Sequence, residues 1–334
     1  MFSQRRLVCN SSQPNTDKKV RASMSLKSRV YQSQNQIPSV RLASNPLRSP
    51  VEQIVSEHTG RQWTAKDARD MTEFACHPCA ILSDGSYSVF AKFSEAANGF
   101  EQFEIELAGL RLLSERSGVL SPTPIGIIPV TGGSILVLEV VQAVDRAPRH
   151  WRQIGQTLAR IHKIKWDRFG LGTHGYFGPL YQDNTPTSDW PTFYAERRLW
   201  PGLRLAIDSG NMPPVVIRQV EKLISRLPEF CGPEIVPSLL HGDAQQNNFI
   251  STEMGAVVID PAVYYGNPEM DLAFIDYFQT VPDDVFDGYQ DELPVDPGFW
   301  ERRDLWRVWG YLAAVTVEGP SHLGKLTEAV QKYI

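Results

Sequence analysis

The chain has 334 residues, 42% of them hydrophobic and 21% charged, with a formal net charge of −5. It is long enough for two cores, and no run approaches the roughly 20 apolar residues of a membrane-spanning helix. A net positive balance is found in the first fifty residues, with nine Lys/Arg against the single acid Asp17. The remainder is therefore acidic and offers no basic footprint for nucleic acid.

Residues 1–48 lack helical or strand periodicity and are rich in Ser, Asn, Gln and Arg. Two readings compete for them: a disordered tail, or an organellar transit peptide, which is typically Arg- and Ser-rich and poor in acids. A secretory signal is excluded for want of an apolar core segment. Four scattered cysteines, Cys9, Cys76, Cys79 and Cys231, do not make a disulfide scaffold. They fit a reducing compartment, so the expected location is the cytoplasm, or a plastid or mitochondrion if the leader is a transit peptide.

An α+β chain in two parts is expected, a sheet-rich part over 49–141 and a mainly helical part over 142–334. Ser49-Pro50-Val51-Glu52 predicts a helix start with a capping box. Cys79–Leu82 and Tyr87–Phe93 flank Ser83-Asp84-Gly85-Ser86, a hairpin signal. Alternation along the second strand sends Val89, Ala91 and Phe93 to one face and Phe90 and Lys92 to the other. A helix is expected over about 101–116, striped by Phe103, Leu107, Leu110 and Leu113. A second hairpin joins Ile125–Val130 to Ile135–Val141 through Thr131-Gly132-Gly133-Ser134, and an amphipathic helix follows over Trp151–Ile164.

The densest chemical signal is His241-Gly242-Asp243-Ala244-Gln245-Gln246-Asn247-Asn248, followed by Val257-Val258-Ile259-Asp260. Phosphoryl transfer to an alcohol needs a carboxylate to accept the hydroxyl proton and oxygen ligands to hold Mg²⁺ on the phosphates of ATP. The H-x-D-x4-N spacing supplies Asp243 as the base and Asn248 as a metal ligand, and Asp260 adds a second carboxylate. Any one of these residues alone is more often a turn or cap residue; their order and spacing favour chemistry. Lys92, with Glu106 on the following helix, is the candidate clamp for the α/β-phosphates. The segment from Glu139 to Val141 is where a hinge backbone would hold adenine. His241 is expected to orient its neighbours rather than react.

These residues resemble the fructosamine (ketosamine) kinase family, relatives of aminoglycoside and choline kinases, over roughly residues 50–334. The resemblance is carried by Ala91-Lys92-Phe93, Phe103–Leu110, Phe177-Gly178 through Asp183-Asn184, Trp190-x-x-Phe193-Tyr194 through Arg198-Leu199, and His241-Gly242-Asp243. Asp260-Pro261-Ala262-Val263-Tyr264-Tyr265-Gly266 through Asp271 completes it. It implies a two-lobed, protein-kinase-like fold, with a small antiparallel-sheet N-lobe and a larger helical C-lobe. It also implies ATP and Mg²⁺ as cofactors, and phosphorylation of a sugar hydroxyl on a small glycated amine or a glycated protein side chain. By the same resemblance Asp271 tethers the catalytic loop.

Two departures stand out. The family's loop reads His-Gly-Asp-Leu-Trp-x-Gly-Asn, whereas Ala244, Gln245 and Asn247 occupy the Leu, Trp and Gly positions; an amide in place of the ring favours a smaller or more polar acceptor. The phosphate-covering loop, glycine-rich in the family, corresponds to Phe74-Ala75-Cys76-His77-Pro78-Cys79. Its C-x-x-C pair is either two plain thiols or a redox-sensitive element, and a zinc site would need a second such pair. Another acceptor for the same machinery, or a catalytically silent binding protein, are the alternatives to a ketosamine kinase.

Overall fold

A computed structural model describes residues 45–72 and 77–334. The leader 1–44, and Phe74, Ala75 and Cys76 of the expected phosphate loop, lie outside the described residues. By its contacts the chain forms two compact units, one comprising residues 45–108 and 122–142, the other 109–121 and 143–334. No helix among the described residues is long and apolar enough to cross a membrane.

The smaller unit is built on α1 (Asn45–Thr59), β1 (Asp67–Asp70), β2 (Cys79–Ser83), β3 (Ser88–Ser94), the first part of α2 (Gly99–Ser117), β4 (Pro124–Val130) and β5 (Gly133–Glu139). The strands form one antiparallel sheet in the order β1-β2-β3-β5-β4. The β2–β3 hairpin turns where Asp-Gly predicts it: Asp84 Oδ1 accepts the Ser86 and Tyr87 amides, each at 2.8 Å. Alternation divides the sheet as expected. Val89, Ala91 and Phe93 bury against Val51, Val55 and Trp63, while Phe90 packs with Phe103, Leu107 and Leu136.

One expectation needs correction here, and one strand was not foreseen. Helix α1 already includes Asn45, the first described residue, so Ser49-Pro50-Val51-Glu52 is not a helix start. Pro50 falls in the second turn, where its missing N–H costs one i→i−4 bond. Glu52, read as half of a capping box, instead accepts Arg48 Nε at 2.8 Å and the Ala65 amide at 3.0 Å. Strand β1 was not expected, because Asp-Ala-Arg-Asp has no apolar alternation; it is an edge strand held by backbone pairing with β2. Residues 109–121 group with the larger unit rather than with the sheet-rich part. The reason is a short parallel pairing of Leu120 with Val257, with the Val258 amide donating to the Leu120 carbonyl at 2.8 Å.

The larger unit is mainly helical. Its helix α3 (Pro148–His162) packs on α8 (Asp284–Gln290) in backbone contact: a Cβ on Gly155 would stand 1.9 Å from the Val285 carbonyl oxygen. Only glycine permits this approach, and it brings His162 to Tyr289 at the far end of the pair. Between these helices run the hairpin β6 (Gly175–Phe177) and β7 (Leu180–Gln182), then α4 (Trp190–Tyr194), a π-turn over Ala195–Leu199, α5 (Trp200–Asp208) and α6 (Pro214–Ser225). Next come β8 (Ser238–Leu240), the hairpin β9 (Phe249–Thr252) and β10 (Gly255–Val258), β11 (Tyr264–Gly266) and α7 (Glu269–Phe274). The last long helix, α9 (Phe299–Glu318), buries Leu305, Trp306, Val308, Trp309 and Leu312; α10 (Leu323–Gln331) follows it. Trp306 Nε1 donates to Glu269 Oε2 at 2.7 Å, tying α9 to α7.

Candidate active site

The loop 241–248 leaves β8, whose residues Ser238, Leu239 and Leu240 are all fully buried and paired with β11. Asp271 on α7 holds the start of this loop. Its carboxylate, with no solvent exposure, accepts the His241 amide at 2.7 Å and the Gly242 amide at 2.9 Å, one on each oxygen. A third donor, His162 Nε2, reaches Oδ2 at 3.1 Å, and His162 Nδ1 accepts from the Tyr289 hydroxyl at 3.0 Å. A buried carboxylate is stable only when its lone pairs are filled, and here the backbone and the His162 ring fill them. The tether implied for Asp271 is thus seen in its geometry.

The next residues follow from this anchor. Gly242 has φ +81°, and a Cβ there would lie 2.0 Å from the Ala262 carbonyl oxygen, so only glycine fits. The His241 ring is fully buried. Its Nε2 lies 3.0 Å from the Ile259 carbonyl, which can only accept, so Nε2 carries the proton. Nδ1 is then the acceptor for the Asp243 amide at 3.3 Å. Burial pushes the ring's pKa below its ordinary value, against the opposing pull of the Asp271, Asp243 and Asp260 carboxylates. His241 therefore serves as a neutral brace between the loop and the strand leading to Asp260.

Asp243 sits among amides. Asn248 Nδ2 donates to the Asp243 carbonyl at 2.7 Å and to its Oδ2 at 3.0 Å. With the NH₂ turned to Asp243, the Asn248 Oδ1 is left as that side chain's acceptor. Gln245 Nε2 stands 3.2 Å from Oδ1 and 3.1 Å from Oδ2 of the same carboxylate. The Ile259 amide donates to the Asn248 carbonyl at 3.0 Å, extending the β9–β10 ladder to the residue before Asp260. Asp260 has φ +52° and is the only non-glycine residue with positive φ among those described. Such a backbone costs on the order of 1–2 kcal/mol for a residue with a Cβ and tends to be kept where function needs it.

An amide oxygen such as Asn248 Oδ1 and a carboxylate such as that of Asp260 are hard oxygen donors of the kind Mg²⁺ takes. Among the described residues no group of three or more His, Cys, Asp or Glu gathers as a softer metal site would require.

In the smaller unit, Lys92 Nζ on β3 meets Glu106 Oε2 on α2 at 2.8 Å, with only 7% and 14% of the two side chains exposed. Glu104 is exposed, as its position two residues away dictates. At the end of β5, the Glu139 amide donates to the Thr123 carbonyl at 2.9 Å and its carboxylate accepts the Tyr87 hydroxyl at 2.8 Å. That hydroxyl holds the Glu139 carboxyl below its ordinary pKa. The Val140 amide is spent on Ser88; Val141 follows in irregular backbone.

Sequence reasoning missed the approach of Gln245 to Asp243, and the buried Tyr289–His162–Asp271 chain. The only signal for the latter was a histidine on the apolar face of α3, beside Leu158 and Ile161. It also left unexplained how the separate family-like segments meet. Arg198 answers that: Nη2 donates to Asn184 Oδ1 at 2.7 Å, Nη1 to the Asp183 carbonyl at 3.0 Å, and the guanidinium lies 4.2 Å from the Tyr264 ring centre and 4.9 Å from that of Phe193. These residues brace one another through a buried cation.

Residues 48–334 match the model of the fructosamine kinase family. The chain belongs to that family. It is 31% identical over 280 residues to a Synechocystis protein named "probable ketoamine kinase", covering 80% of this chain and 92% of that one. It is 30% identical over 244 residues to the rice protein named protein-ribulosamine 3-kinase, chloroplastic, covering 71% and 70%. A crystal structure from Thermobifida fusca, provisionally named a fructosamine-3-kinase, superposes with a TM-score of 0.74 at 32% identity, over 85% of this chain and 98% of that one. By fold alone the likeness extends to aminoglycoside phosphotransferase APH(4)-Ia, with a TM-score of 0.53 at 14% identity, over 84% and 98%. The chain is thus an α+β kinase-like phosphotransferase.

Proposed function

We propose that this protein phosphorylates a sugar hydroxyl of a ketosamine, using ATP, with Asp243 as the general base. The observation that carries this reading is the Asp243 carboxylate, gripped by Asn248 and Gln245 in a loop pinned at its start by Asp271, in a member of the fructosamine kinase family. In the proposed step the acceptor hydroxyl gives its proton to Asp243 as its oxygen bonds to the γ-phosphorus. The bond from that phosphorus to the β-γ bridging oxygen breaks, and ADP leaves. Asn248 and Asp260 would hold Mg²⁺, which neutralises charge on the phosphates when bound. Lys92, fixed by Glu106, would pair with the α/β-phosphates, and the backbone from Glu139 to Val141 would bind adenine.

The acceptor is a small glycated amine or a glycated lysine on a protein, in line with the names of the relatives. A different amine or sugar acceptor is the second reading, because the family's Trp ring is absent from position 245. ADP release measured with fructose-lysine, ribulose-lysine, choline and an aminoglycoside separates the two. Asp243→Asn should abolish turnover yet retain Mg·ATP binding, and Asp260→Ala should lose the metal; near-normal turnover in Asp243→Asn would remove the base assignment. The chloroplastic name of the rice relative favours residues 1–48 as a transit peptide over a cytoplasmic location. A fusion of that segment to a fluorescent protein decides between them.

A further inference from the structure

We infer that Gln245 is a positioning residue for the reaction, acting through Asp243; this rests on Asp243 being the base. Gln245 is 6% exposed, and its amide nitrogen lies within 3.2 Å of both carboxylate oxygens. Standing nearly equidistant from the two oxygens, this NH₂ group shares an N–H between them and so opposes rotation of the carboxylate about its Cβ–Cγ bond. Asn248 alone, reaching one side-chain oxygen and the main-chain carbonyl, leaves that rotation less defined. Gln245 is itself held by its backbone, since its carbonyl accepts the Asn248 amide at 2.8 Å within the 3-10 turn Gln246–Asn248. The two amides and the carboxylate thus form one hydrogen-bonded group on a single short loop.

This changes the meaning of the departure from the family loop. From sequence, an amide at this position suggested a more polar acceptor pocket. The structure turns its donors inward, onto the base. A general base works only when the syn or anti lone pair it offers is aimed at the reacting hydroxyl, and misplacement by about 1 Å can cost around a hundredfold in rate. Gln245 supplies that aim in a loop that lacks the tryptophan.

The test compares Gln245→Leu, which keeps the bulk and loses both donors, with Gln245→Glu, which keeps the shape and sets a carboxylate against Asp243. Steady-state ADP release is measured with ribulose-lysine, alongside Mg·ATP binding and melting temperature, with Asp243→Asn as reference. The donor role predicts kcat falling about tenfold in Gln245→Leu, equal to about 1.4 kcal/mol of barrier. Gln245→Glu should fall further, with KM for ATP and acceptor within about twofold of wild type in both. A role in packing alone predicts the reverse order, because glutamate is the closer isostere; that order, or a loss confined to KM, overturns the inference. The two proposals fail separately. Turnover surviving in Asp243→Asn refutes the base, whereas an inactive Asp243→Asn beside wild-type kcat in both Gln245 variants refutes only the positioning role. Should Gln245→Leu not fold, the kcat of Gln245→Glu relative to wild type still decides, since unchanged turnover there contradicts the inference.

Discussion

Replacing Asp271 by asparagine changes one oxygen for an NH₂ and almost nothing in volume, so the result reports hydrogen bonding rather than packing. In the native protein three donors converge on the carboxylate: the His241 and Gly242 amides and His162 Nε2. An asparagine offers one oxygen. Whichever way the amide is turned, its NH₂ faces at least one of those buried N–H groups, and the remaining bonds lose their charge assistance. Leaving a buried donor unpaired costs about 1–3 kcal/mol, and hydrogen bonds to a charged group contribute about 1.5–3 kcal/mol. A net loss of about 2–4 kcal/mol follows, a large share of the roughly 5–15 kcal/mol that stabilises a typical fold. For a unit of 150–250 residues each kcal/mol lowers the melting temperature by about 2–4 °C, so calorimetry should show a fall of about 5–15 °C. Because the same bonds set where the loop begins, kcat should drop by about a hundredfold or more while Mg·ATP still binds. A variant melting within about 2 °C of wild type with kcat within threefold would show that the tether is dispensable.

Two further outcomes are expected. Glu106→Gln leaves the Lys92 ammonium largely buried beside a neutral amide, and breaking a pair this enclosed destabilises by about 3–5 kcal/mol. The KM for ATP should rise more than tenfold with the acceptor KM little changed, and an unaltered ATP affinity by calorimetric titration would contradict the clamp. The second concerns acid. Burial lowers the pKa of His241 in the folded chain below its ordinary 6.5, so the unfolded chain takes up the proton first as pH falls through that value. Stability from this group is complete above about pH 6.5 and is lost on the acid side. Melting temperatures recorded from pH 8 to pH 5 should decline less steeply for His241→Asn than for wild type, and parallel curves would refute the assignment.

What could be read without coordinates was local. The Asp-Gly turn, the alternation of β3 and the stripe of α2 each rest on neighbours within a few residues, and they stand close to where the pattern put them. The spacing from His241 to Asp260 was legible for the same reason, since one short loop and one hairpin generate it. What escaped was held by distant partners or by backbone alone. β1 carries no apolar alternation and exists because β2 offers a ladder to complete. The start of α1 was misplaced because Pro50, a good first-turn residue, is accepted one turn further in. His162 and Tyr289 meet across 127 positions, and no periodicity reveals such a pairing. Gln245 was visible as a departure, but the direction of an amide is a matter of which oxygen lies nearest, and that is three-dimensional.

The two proposed magnesium ligands stand at either end of one hairpin, with Phe249 paired to Val258 and Thr252 to Gly255 between them. Their separation is thus a property of about a dozen consecutive residues. Closing so short a loop takes little entropy and needs no remote segment to arrive first. Its tip, Glu253-Met254, points outward, with Met254 82% exposed. A reporter or a few extra residues can therefore be spliced in at that tip while the far end of the hairpin keeps the spacing that a divalent cation would measure.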